Sequence, residues 1–574
     1  VPPKIQPLSH ENKLIIGVGP LTGTLFPGSG RVNFSAKSPQ TNSLGDSNAG
    51  GFFGSEVKFA GYDQIIIEGK SQNRIYLFIK NDEVFFKDAD KIIGKDIFET
   101  QKIILEELGD NRVQVASIGP AAENGVKYAG IFCNLVRAAA RTGMGSVLAS
   151  KNVKAIAVRG TLDLKAVNPQ KFMKIIKKID EDIINHYEYE PRKMLGTTKL
   201  VHALNEAGCL ATRHFQTGRF EFAEEVSGEY LAAKYKKKSK ACFACTIPCS
   251  RFFEIDNGIR KGLKSEGPEF EGLAGFSSRV GVGSIEESLK GVDMCNRYGL
   301  DVITTSECIS FSMELYQRKI IDKEDTGGLD LTWGNSESVL ELINQISNRR
   351  GFGDILADGV VKAAERIGRD SKKYAMHVKG LEIFQADPRG LKGYALGVSV
   401  ASRGGDHLRS EPSFEFTEDP EEGIKRFGAA ESAFRLEYKG KGRVVKFFEE
   451  RSALADCLNV CKNTLTNMEI LSFDEAAELL EALTGRKFTK KEIQKCAERL
   501  VNLERLYING CGMNRRNDYL PERFLKEPLP QDSGPSSGSV VELDYMLDEY
   551  YESRGWDVTT GIPTKKKLRE LGLE

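Results

Sequence analysis

Three closely spaced cysteines constrain this chain more than any other feature of its sequence. They occur as Cys242-Phe-Ala-Cys245-Thr-Ile-Pro-Cys249, a CxxCxxxC arrangement within one short turn. Thiolates this close together are best explained as ligands of a soft metal. Three of the four ligands of an iron–sulfur cube would come from this turn, so the fold must bring a fourth cysteine from elsewhere. A zinc knuckle, a disulfide with a free thiol, and chance clustering are the alternatives that the spacing leaves open.

The composition is that of a globular protein from a reducing compartment. The chain has 574 residues, of which 40% are hydrophobic and 28% charged, and its 81 basic and 81 acidic residues give a formal net charge of zero. This length suffices for several domains, and the balanced charge argues against a nucleic-acid-binding surface over the whole molecule. The 11 cysteines are mostly scattered, and we find neither a membrane-spanning run nor a signal peptide. We therefore expect a cytoplasmic protein without nucleic-acid or membrane partners. Since the sequence begins at Val1 without an initiator Met, we also expect it to be a processed or truncated product, or a fragment.

The hydrophobic pattern changes from β to helical near residue 160. The predicted strands are Lys13–Gly19, Val32–Lys37, Gln64–Gly69, Ile75–Lys80, Glu83–Asp88, Val113–Gly119, Val126–Cys133 and Val153–Gly160. The predicted helices are Asp96–Leu108, Asn134–Ala149, Gln170–Tyr187, Lys199–Ala207, Ser336–Arg350, Asp354–Ile367 and Lys490–Ile508. Capping boxes are predicted at Thr304–Glu307 and Ser472–Glu475, and an exposed linker at Gly534–Gly538. This order predicts an α+β fold: an N-terminal two-sheet β domain at 1–165, then two mainly helical domains at 166–375 and 376–574.

Three loops in the β region are unusually rich in glycine. They are Pro27–Arg31, Gly45–Gly51 and Arg137–Gly145. Glycine lets a backbone approach a ligand closely and present its N–H groups to an anion, and the interleaved arginines favour phosphate partners. Neither GxGxxG nor a P-loop occurs in them, which disfavours an ordinary dinucleotide or ATP site. Tight turns at sheet edges are the simpler interpretation.

Two further segments combine polar groups at fixed offsets, and a third is strongly basic. Asn296-Arg-Tyr-Gly-Leu-Asp301 and Asp456-Cys-Leu-Asn-Val-Cys461 each offer a carboxylate that could bind the amino-pyrimidine edge of a pterin or guanine. From spacing alone, ordinary helix-cap chemistry around Gly299 and Asp301 is the favoured explanation. Cys461 is the best candidate for the missing cluster ligand. The basic run Lys234–Lys240 would steer an acidic redox partner to the cluster, or is merely a solvated face.

Taken together, these segments resemble the tungsten-containing aldehyde:ferredoxin oxidoreductase family over essentially the whole chain. The matching stretches are Gly28–Arg31, Lys37–Pro39, Gly45–Gly51, Lys58–Asp63, Cys242–Cys249, Gly267–Glu271, Gly299–Asp301, Gly405–Arg409 and Asp456–Cys461. The resemblance implies one tungsten held between two pyranopterin dithiolenes beside a [4Fe–4S] cluster, with the N-terminal β domain binding the bis-pterin cofactor. It also implies that opening strands of the family are missing before Val1.

The resemblance assigns cofactor roles residue by residue. Cys242, Cys245, Cys249 and Cys461 resemble the cluster ligands, and Arg31 resembles the arginine between pterin and cluster. Asn48 and Ala138 match the positions whose backbone carbonyls hold a magnesium ion between the pterin phosphates. Asn296, where the family often has Asp, and Asp301 match one pterin motif, and Asp456 with Cys461 matches the other. The remaining residues predicted to bind the cofactor are Gly50, Arg137, Arg409 and Val460.

The implied reaction oxidises an aldehyde with water to a carboxylic acid. His407 is the proton donor implied by the resemblance, and Glu269 or Glu271 would activate water or remove a proton. Electrons would pass through the cluster to ferredoxin or a ferredoxin-like subunit. Some members use an ExxH segment to bind a metal between subunits, but this chain has Lys290-Gly-Val-Asp293 there, so we predict no such metal. We expect an oligomer, whose number of subunits the sequence leaves open.

Three other functions compete with this one. The nearest is a related tungsten enzyme acting on another substrate, such as a benzoyl-CoA reductase catalytic subunit. The others are an electron-transfer subunit that uses the cluster alone and a zinc-stabilised interaction protein.

Overall fold

The computed structural model describes residues 1–574 and begins with two sheets. The first is antiparallel, with strand order β3-β2-β1-β4. Its strands are β1 (Leu14–Gly17), β2 (Val32–Lys37), β3 (Leu44–Ala49) and β4 (Gln64–Ile67). The second has the order β6-β5-β10-β7-β8-β9, in which only β5 and β10 run parallel. Its strands are β5 (Ile75–Lys80), β6 (Glu83–Asp88), β7 (Gln114–Ser117), β8 (Ile131–Cys133), β9 (Arg137–Ala139) and β10 (Val153–Arg159).

Helices dominate the rest of the chain. The N-terminal region has α1 (Phe53–Phe59), α2 (Ile97–Leu108), α3 (Pro120–Glu123) and α4 (Met144–Ser150). The middle has α5 (Pro169–Asn185), α6 (Tyr189–Leu195), α7 (Leu200–Glu206), α8 (Gly228–Lys234), α9 (Phe270–Gly275), α10 (Ile285–Tyr298), α11 (Val302–Gln317), α12 (Ser336–Asn348), α13 (Gly351–Leu356) and α14 (Val360–Ile367). The last part has α15 (Lys392–Val400), α16 (Pro420–Phe427), α17 (Lys441–Leu458), α18 (Phe473–Thr484), α19 (Lys490–Gly510), α20 (Glu522–Lys526), α21 (Leu543–Arg554) and α22 (Lys565–Leu571).

Two small sheets complete the fold. The first contains β11 (Lys236–Lys240), β12 (Ser250–Glu254) and β13 (Lys264–Glu266). The second pairs β14 (His377–Val378) with β15 (Leu381–Glu382). The predicted α+β class, with sheets first and helices after, is confirmed. No helix combines the length and apolar composition needed to cross a membrane.

Two large hydrophobic cores join parts of the chain that are distant in sequence. The larger, with 61 buried residues, combines side chains between Phe172 and Leu289 with side chains between Met376 and Trp556. The second, with 51, packs the N-terminal sheets against residues between Phe276 and Ala375. The middle region is therefore shared between both cores. The division at 165 and 375 stays a prediction about chain segments.

Most predicted strands and helices are present, but one loop and one helix were assigned wrongly. The glycine-rich segment 45–51 contains strand β3, which the pattern hid because its buried residues include Asp46 and Ser47 rather than apolar ones. The helix predicted at Asn134–Ala149 is wrong over its first half. Asn134 and Leu135 have left-handed φ angles of 50° and 74°, which break the helical repeat and lead into strand β9.

Two predicted helices and one predicted linker also differ from the structure. Helix α11 begins before the expected capping box, because the Asp301 carboxylate accepts the Thr304 N–H at 3.1 Å. The helix predicted at 354–367 is split between α13 and α14 by Gly359, whose φ is +89°. The linker predicted at 534–538 is exposed at Pro535 and Gly538, but Ser536 is fully buried in a short 3-10 helix. The capping box at Ser472 and Glu475 is confirmed.

Candidate functional site

The cysteine turn closes a β-hairpin. Strands β11 and β12 pair antiparallel with Lys240 opposite Ser250, so all three cysteines lie in the loop between them. The loop is tightened by a hydrogen bond of 3.2 Å from the Cys245 N–H to the Cys242 carbonyl. The Phe243 ring packs edge-on against Phe59 of α1 at 5.7 Å between centroids. The hairpin therefore carries the thiols to the N-terminal sheets.

Helix α17 delivers the distant Cys461 to the same place. The helix ends at Asn459, whose left-handed φ of 53° reverses the chain. The Cys461 N–H then donates to the Gly28 carbonyl at 3.2 Å. The Cys461 sulfur accepts a hydrogen bond from Nη2 of Arg31 at 3.3 Å. The fold thus gathers a thiol more than two hundred residues away in the chain with those of the hairpin.

Glycines from the first sheet form the surface on which these cysteines rest. A Cβ added to Gly28 would lie 2.8 Å from the Cys461 Cβ, and one added to Gly50 would lie 3.0 Å from the Cys242 sulfur. The Phe243 N–H also donates to the Gly51 carbonyl at 3.0 Å. The sequence analysis expected these glycines to let the backbone approach a phosphate. In the structure their lack of a side chain also leaves room for the cysteine side chains.

The four thiols interact electrostatically with one another. Burial, together with the neighbouring thiols of Cys461, Cys242 and Cys249, raises the pKa of Cys245. Burial, followed by Glu269 and then by Cys461 and Cys242, raises the pKa of Cys249 to about 12. No three His, Cys, Asp or Glu side chains converge on one point as ligands of a single ion. Iron–sulfur clusters differ from such sites because each thiolate binds a separate iron atom.

Arg31 links the thiols to a chain of polar side chains. Burial alone would lower its pKa, but the thiols of Cys461 and Cys242 raise it. Its Nη1 donates to the Asn48 side-chain oxygen at 3.0 Å, and the Asn48 amide donates to Asn459 at 2.8 Å. Asn48 and Ala138 lie on β3 and β9, two strands that pack against each other. The predicted magnesium ligands are therefore neighbouring strand residues, although Ala138 itself is exposed.

A buried ionic cluster surrounds Arg409. Its guanidinium contacts Asp46 directly, Asp456 at 3.1 Å and Glu504 at 3.3 Å. These carboxylates come from β3, α17 and α19, so three elements meet at one arginine. Burial alone would lower the pKa of Arg409, but Asp46, Glu504 and Asp456 raise it well above its usual range. Val460, also predicted to bind the cofactor, lies buried in the larger core nearby in sequence.

The first predicted pterin motif lies where α10 ends and α11 begins. Gly299 ends α10 with a φ of +79°, and the Asp301 carboxylate caps α11. Asp301 lies 3.6 Å from Nε of Arg141. Asn296 is buried on the last turn of α10. The helix-cap interpretation of Asp301 is thus correct, and the cofactor role of both residues stays a prediction.

Glu271 and His407 form a partly buried acid–base pair. The His407 Nε2 lies 3.9 Å from Oε1 of Glu271, and its ring stacks on Phe384 with centroids 5.0 Å apart. Burial raises the pKa of Glu271 to about 7, against the opposing effect of Arg141. Burial lowers the pKa of His407 to about 4, although Asp406 opposes this shift. The pair can therefore hold one proton near neutral pH, on the carboxyl group rather than the imidazole.

Glu269 and Arg137 lie on the cysteine side of the site. The Glu269 carboxylate is exposed and accepts a hydrogen bond from the Thr197 hydroxyl at 2.5 Å. The Arg137 guanidinium contacts Glu266, the last residue of β13. The structure therefore places Glu271, but not Glu269, beside His407. The catalytic role of each stays a prediction.

The residues between these groups suit a large polar cofactor. Buried polar atoms without a hydrogen-bond partner include Nε of Arg141, Oδ1 of Asp406, Nδ1 of His407 and Nε of Arg409. Unpaired buried groups of this kind are unfavourable unless a ligand satisfies them. The four thiols fit an iron–sulfur cluster. Arg141 and Arg409 suit the phosphates, and the carboxylates suit the amino-pyrimidine edge, of a second cofactor.

Several residues of the site were missed by the sequence analysis. They are Asp46, Arg141, Arg403, Asp406, Asn459, Lys462 and Glu504. Asp46, Arg141, Asp406 and Asn459 lay inside segments already singled out, and Lys462 lay directly after one, so a polar side chain in or beside such a segment was a usable signal. Glu504 carried none, because it lies in a long amphipathic helix where an acidic residue normally faces solvent.

Comparison with known proteins agrees with this arrangement. The aldehyde ferredoxin oxidoreductase family is matched by two family models, one for its N-terminal domain at residues 1–160 and one for its domains 2 and 3 at residues 174–573. The chain belongs to the aldehyde ferredoxin oxidoreductase family. It is therefore an oxidoreductase, and the family predicted from the motifs is confirmed.

Named proteins are similar to this chain along most of their length. A tungsten-containing aldehyde ferredoxin oxidoreductase of Pyrococcus abyssi is 40% identical, covering 100% of this chain and 92% of its own. The aliphatic sulfonate oxidoreductase, WOR-like subunit, of Pyrococcus furiosus is 30% identical over 99% of this chain and 89% of its own. A solved chain of the active site complex BamBC of benzoyl coenzyme A reductase, in complex with 1,5-dienoyl-CoA, has a TM-score of 0.82 and 26% identity, covering 100% of this chain and 90% of that chain.

Proposed function

We propose that this chain oxidises an aldehyde to a carboxylic acid at a tungsten–bispyranopterin centre and transfers the electrons through a [4Fe–4S] cluster to ferredoxin or a ferredoxin-like subunit. The observation that carries the proposal is the meeting of Cys461 with the Cys242–Cys249 hairpin beside Arg31, in a chain that also pairs Glu271 with His407. The 40% identity to a tungsten-containing aldehyde ferredoxin oxidoreductase supports the same substrate class.

The cofactor groups would be held by residues on both sides of Arg31. Cys242, Cys245, Cys249 and Cys461 would bind the cluster. Asp301, Asp456 and Arg409 would bind the pterins, and the carbonyls of Asn48 and Ala138 would hold a magnesium ion beside the phosphates. When bound, the tungsten–pterin group supplies the two-electron redox chemistry of the reaction.

The protein's own contribution is acid–base chemistry. Once ionised, Glu271 accepts the proton of the water that adds to the aldehyde carbonyl. His407 is neutral at this pH and donates a hydrogen bond from its ring N–H to the oxygen on which negative charge develops. Partial burial of both side chains strengthens these interactions because it limits their contact with water.

Electrons would leave at the hairpin. Cys242 and Cys245 line an open cleft of about 400 Å³ at the surface, between the cysteine loop and helix α5. The cleft is rimmed by exposed apolar side chains, Leu25 and Met173, and strand β11 carries exposed lysines next to it in sequence. An apolar centre with basic residues beside it suits a small acidic electron-transfer protein.

Elemental analysis of anaerobically purified protein tests the proposal. We expect tungsten, organic phosphorus, iron and acid-labile sulfide in one preparation, together with aldehyde-dependent reduction of a viologen dye. Iron and sulfide without tungsten or phosphorus would instead indicate an electron-transfer subunit. Zinc without sulfide would indicate the structural protein considered above.

The related benzoyl-CoA reductase activity is the second candidate, because the solved chain of that enzyme superposes over the whole chain with a TM-score of 0.82. Its 26% identity is well below the 40% shared with the aldehyde enzyme, which favours aldehyde oxidation. Parallel assays with aldehydes and with aromatic acyl-CoA thioesters separate the two.

A further inference from the structure

A buried hydrogen-bond network lies behind the candidate catalytic pair, and Arg279 is at its centre. This arginine is completely buried. Its Nε donates to the Gln385 side chain at 2.7 Å, and its Nη1 donates to Glu307 at 2.6 Å. Its Nη2 donates to the carbonyls of Ile383 and Phe384, both at 2.9 Å. One guanidinium therefore fixes the backbone and a side chain of segment 383–385.

Segment 383–385 contacts both members of the pair. The Gln385 backbone N–H donates to Oε2 of Glu271 at 3.0 Å. The Phe384 ring stacks on His407 at an interplanar angle of 25°. A displacement of this segment would therefore change the position of Glu271 and His407 together.

Arg279 is itself held by a histidine between two glutamates. The His214 Nε2 lies 2.7 Å from Glu307, and its Nδ1 lies 2.5 Å from Glu314. All three side chains are completely buried. Burial alone would lower the pKa of His214, but Glu307 and Glu314 raise it. The charged histidine thus stabilises Glu307 as the partner of Arg279.

The backbone at residues 213–215 is strained where it contacts Arg279. Arg213, His214 and Phe215 have successive left-handed φ angles of 42°, 57° and 62°, a conformation that side-chain-bearing residues rarely adopt. The His214 N–H donates to the Arg279 carbonyl at 3.1 Å, and the Phe215 ring covers the guanidinium at 3.9 Å. This turn therefore contacts Arg279 through both the His214 backbone and the Phe215 ring.

We propose that Arg279, held by Glu307 and His214, is a positioning residue that orients Glu271 and His407 for catalysis; this inference rests on the proposed function. Arg279 touches neither side chain of the pair. It acts through Gln385 and Phe384, and through its charge.

The charge of Arg279 also acts on Glu271 directly. The groups that face Glu271 are Arg141, the Gln385 N–H and Arg279, which favour the ionised form, and Asp406, which opposes it. His407 lies 3.9 Å away. Burial outweighs the three favourable groups, so the pKa of Glu271 is about 7. Removing Arg279 should therefore raise it further.

The substitutions Arg279→Met and Arg279→Lys test the proposal on the cofactor-loaded enzyme. Infrared difference spectra of the carboxyl C=O stretch, assigned with Glu271→Gln, measure ionisation of Glu271 without requiring turnover. In Arg279→Met we expect the ionisation midpoint of Glu271 and the acid limb of kcat/KM to move up by about one pH unit. This shift is a tenfold decrease in the acid dissociation constant of Glu271. Arg279→Lys keeps the charge, but its three N–H donors on one nitrogen cannot reproduce the planar guanidinium that bonds the four acceptors, so kcat should fall about 10- to 100-fold with little change in KM or midpoint.

Arg554→Met is the matched control. Arg554 is equally buried and also paired with two glutamates, Glu449 and Glu450, but contacts helix α17 rather than segment 383–385. We expect it to lower Tm while leaving the Glu271 midpoint unchanged. A wild-type midpoint in Arg279→Met, or wild-type kcat in Arg279→Lys, overturns the positioning role. A shifted infrared midpoint in an enzyme that oxidises no aldehyde supports that role while rejecting the proposed reaction.

Discussion

His407 illustrates how burial decides what a residue can do. With a pKa of about 4, its imidazole is neutral at neutral pH and donates a hydrogen bond from one nitrogen only. The Nδ1 atom has no partner within the protein, and Nε2 faces Glu271. The histidine can therefore offer a hydrogen bond to a substrate oxygen without first being protonated.

Replacing His407 by Ala should lower kcat for aldehyde oxidation by about 10²- to 10⁴-fold, because the donor to the developing oxyanion is lost. The measurement is viologen-linked turnover in preparations with equal tungsten and iron content. His202→Ala is the control, since His202 lies at the surface with a side chain 52% exposed. Unchanged turnover in His407→Ala would reject the donor role.

Glu271 should determine the acid limb of the pH–rate profile. Burial raises its pKa to about 7, and a general base must be ionised, so kcat/KM should rise with pH and level off above about 7. Glu271→Gln should remove this limb and most of the activity. Glu382→Gln is the control, because burial also raises the pKa of Glu382 to about 7, but its carboxylate binds Gln40, Thr304 and the Val360 N–H instead. If the limb persists in Glu271→Gln and disappears in Glu382→Gln, the base has been assigned wrongly.

At the level of elements, the sequence predicted the strands in which polar and apolar residues alternate and the helices that are amphipathic. Helix α19 was found because its apolar residues repeat at helical spacing, and its Thr489 cap is present. Strand β3 was missed because it is built for polar contacts: Asp46 binds Arg409 and Asn48 binds Arg31. Periodicity reports only burial in an apolar core, so it cannot identify an element that lines a polar site.

The same limit applies to the site. The cysteines, Asp301 and Asp456 were identifiable because they lie in short motifs with fixed spacing. Arg279 and His214 were not, because each lies in an ordinary stretch and gains its partners only from the tertiary fold. A histidine outside any motif is expected to be a core residue with satisfied hydrogen bonds, and His214 is one, although its partners are charged.

Gly28 shows what the glycine-rich element is required to accommodate. Replacing it by Ala should lower iron and acid-labile sulfide content, because the new Cβ would lie 2.8 Å from the Cβ of Cys461 and displace a cluster ligand. Gly69→Ala is the control: its φ of +74° matches the +80° of Gly28, but nothing lies within 4 Å of its added Cβ. Both variants share the backbone cost of about 1 kcal/mol. Equal iron content in the two variants would show that the contact with Cys461 is unimportant.

At the scale of the whole molecule, the site lies where the two cores meet. The hairpin cysteines and α17 belong to the larger core, whereas β3 and α11 belong to the second. Glu271 and His407 are less than one fifth exposed (16% and 17%), whereas Cys242 and Cys245 line an open cleft. This arrangement separates an interior suited to chemistry from a surface suited to electron transfer.

The lysines of β11 should therefore influence electron transfer to a protein but not to a dye. Lys237 and Lys238 are exposed on the strand that leads directly into the cysteine loop. Reversing both charges with Lys237→Glu and Lys238→Glu should raise KM for ferredoxin about tenfold at low ionic strength, and the difference should shrink as salt screens the charges. Reduction of a viologen dye, which needs no docking surface, measures aldehyde oxidation independently.

The matched control for this prediction places the same charge change elsewhere. Lys565→Glu and Lys566→Glu alter two exposed lysines of α22, at the end of the chain, and give the protein the same net charge. If attraction by the whole molecule guided ferredoxin, both double variants would raise KM equally, since long-range steering depends on total charge. A larger effect at β11 requires a local contact. Because Lys237 also pairs with Asp256 at 2.5 Å, iron content must be equal in both variants before the KM values are compared; equal KM values would then place the docking surface away from the cysteine hairpin.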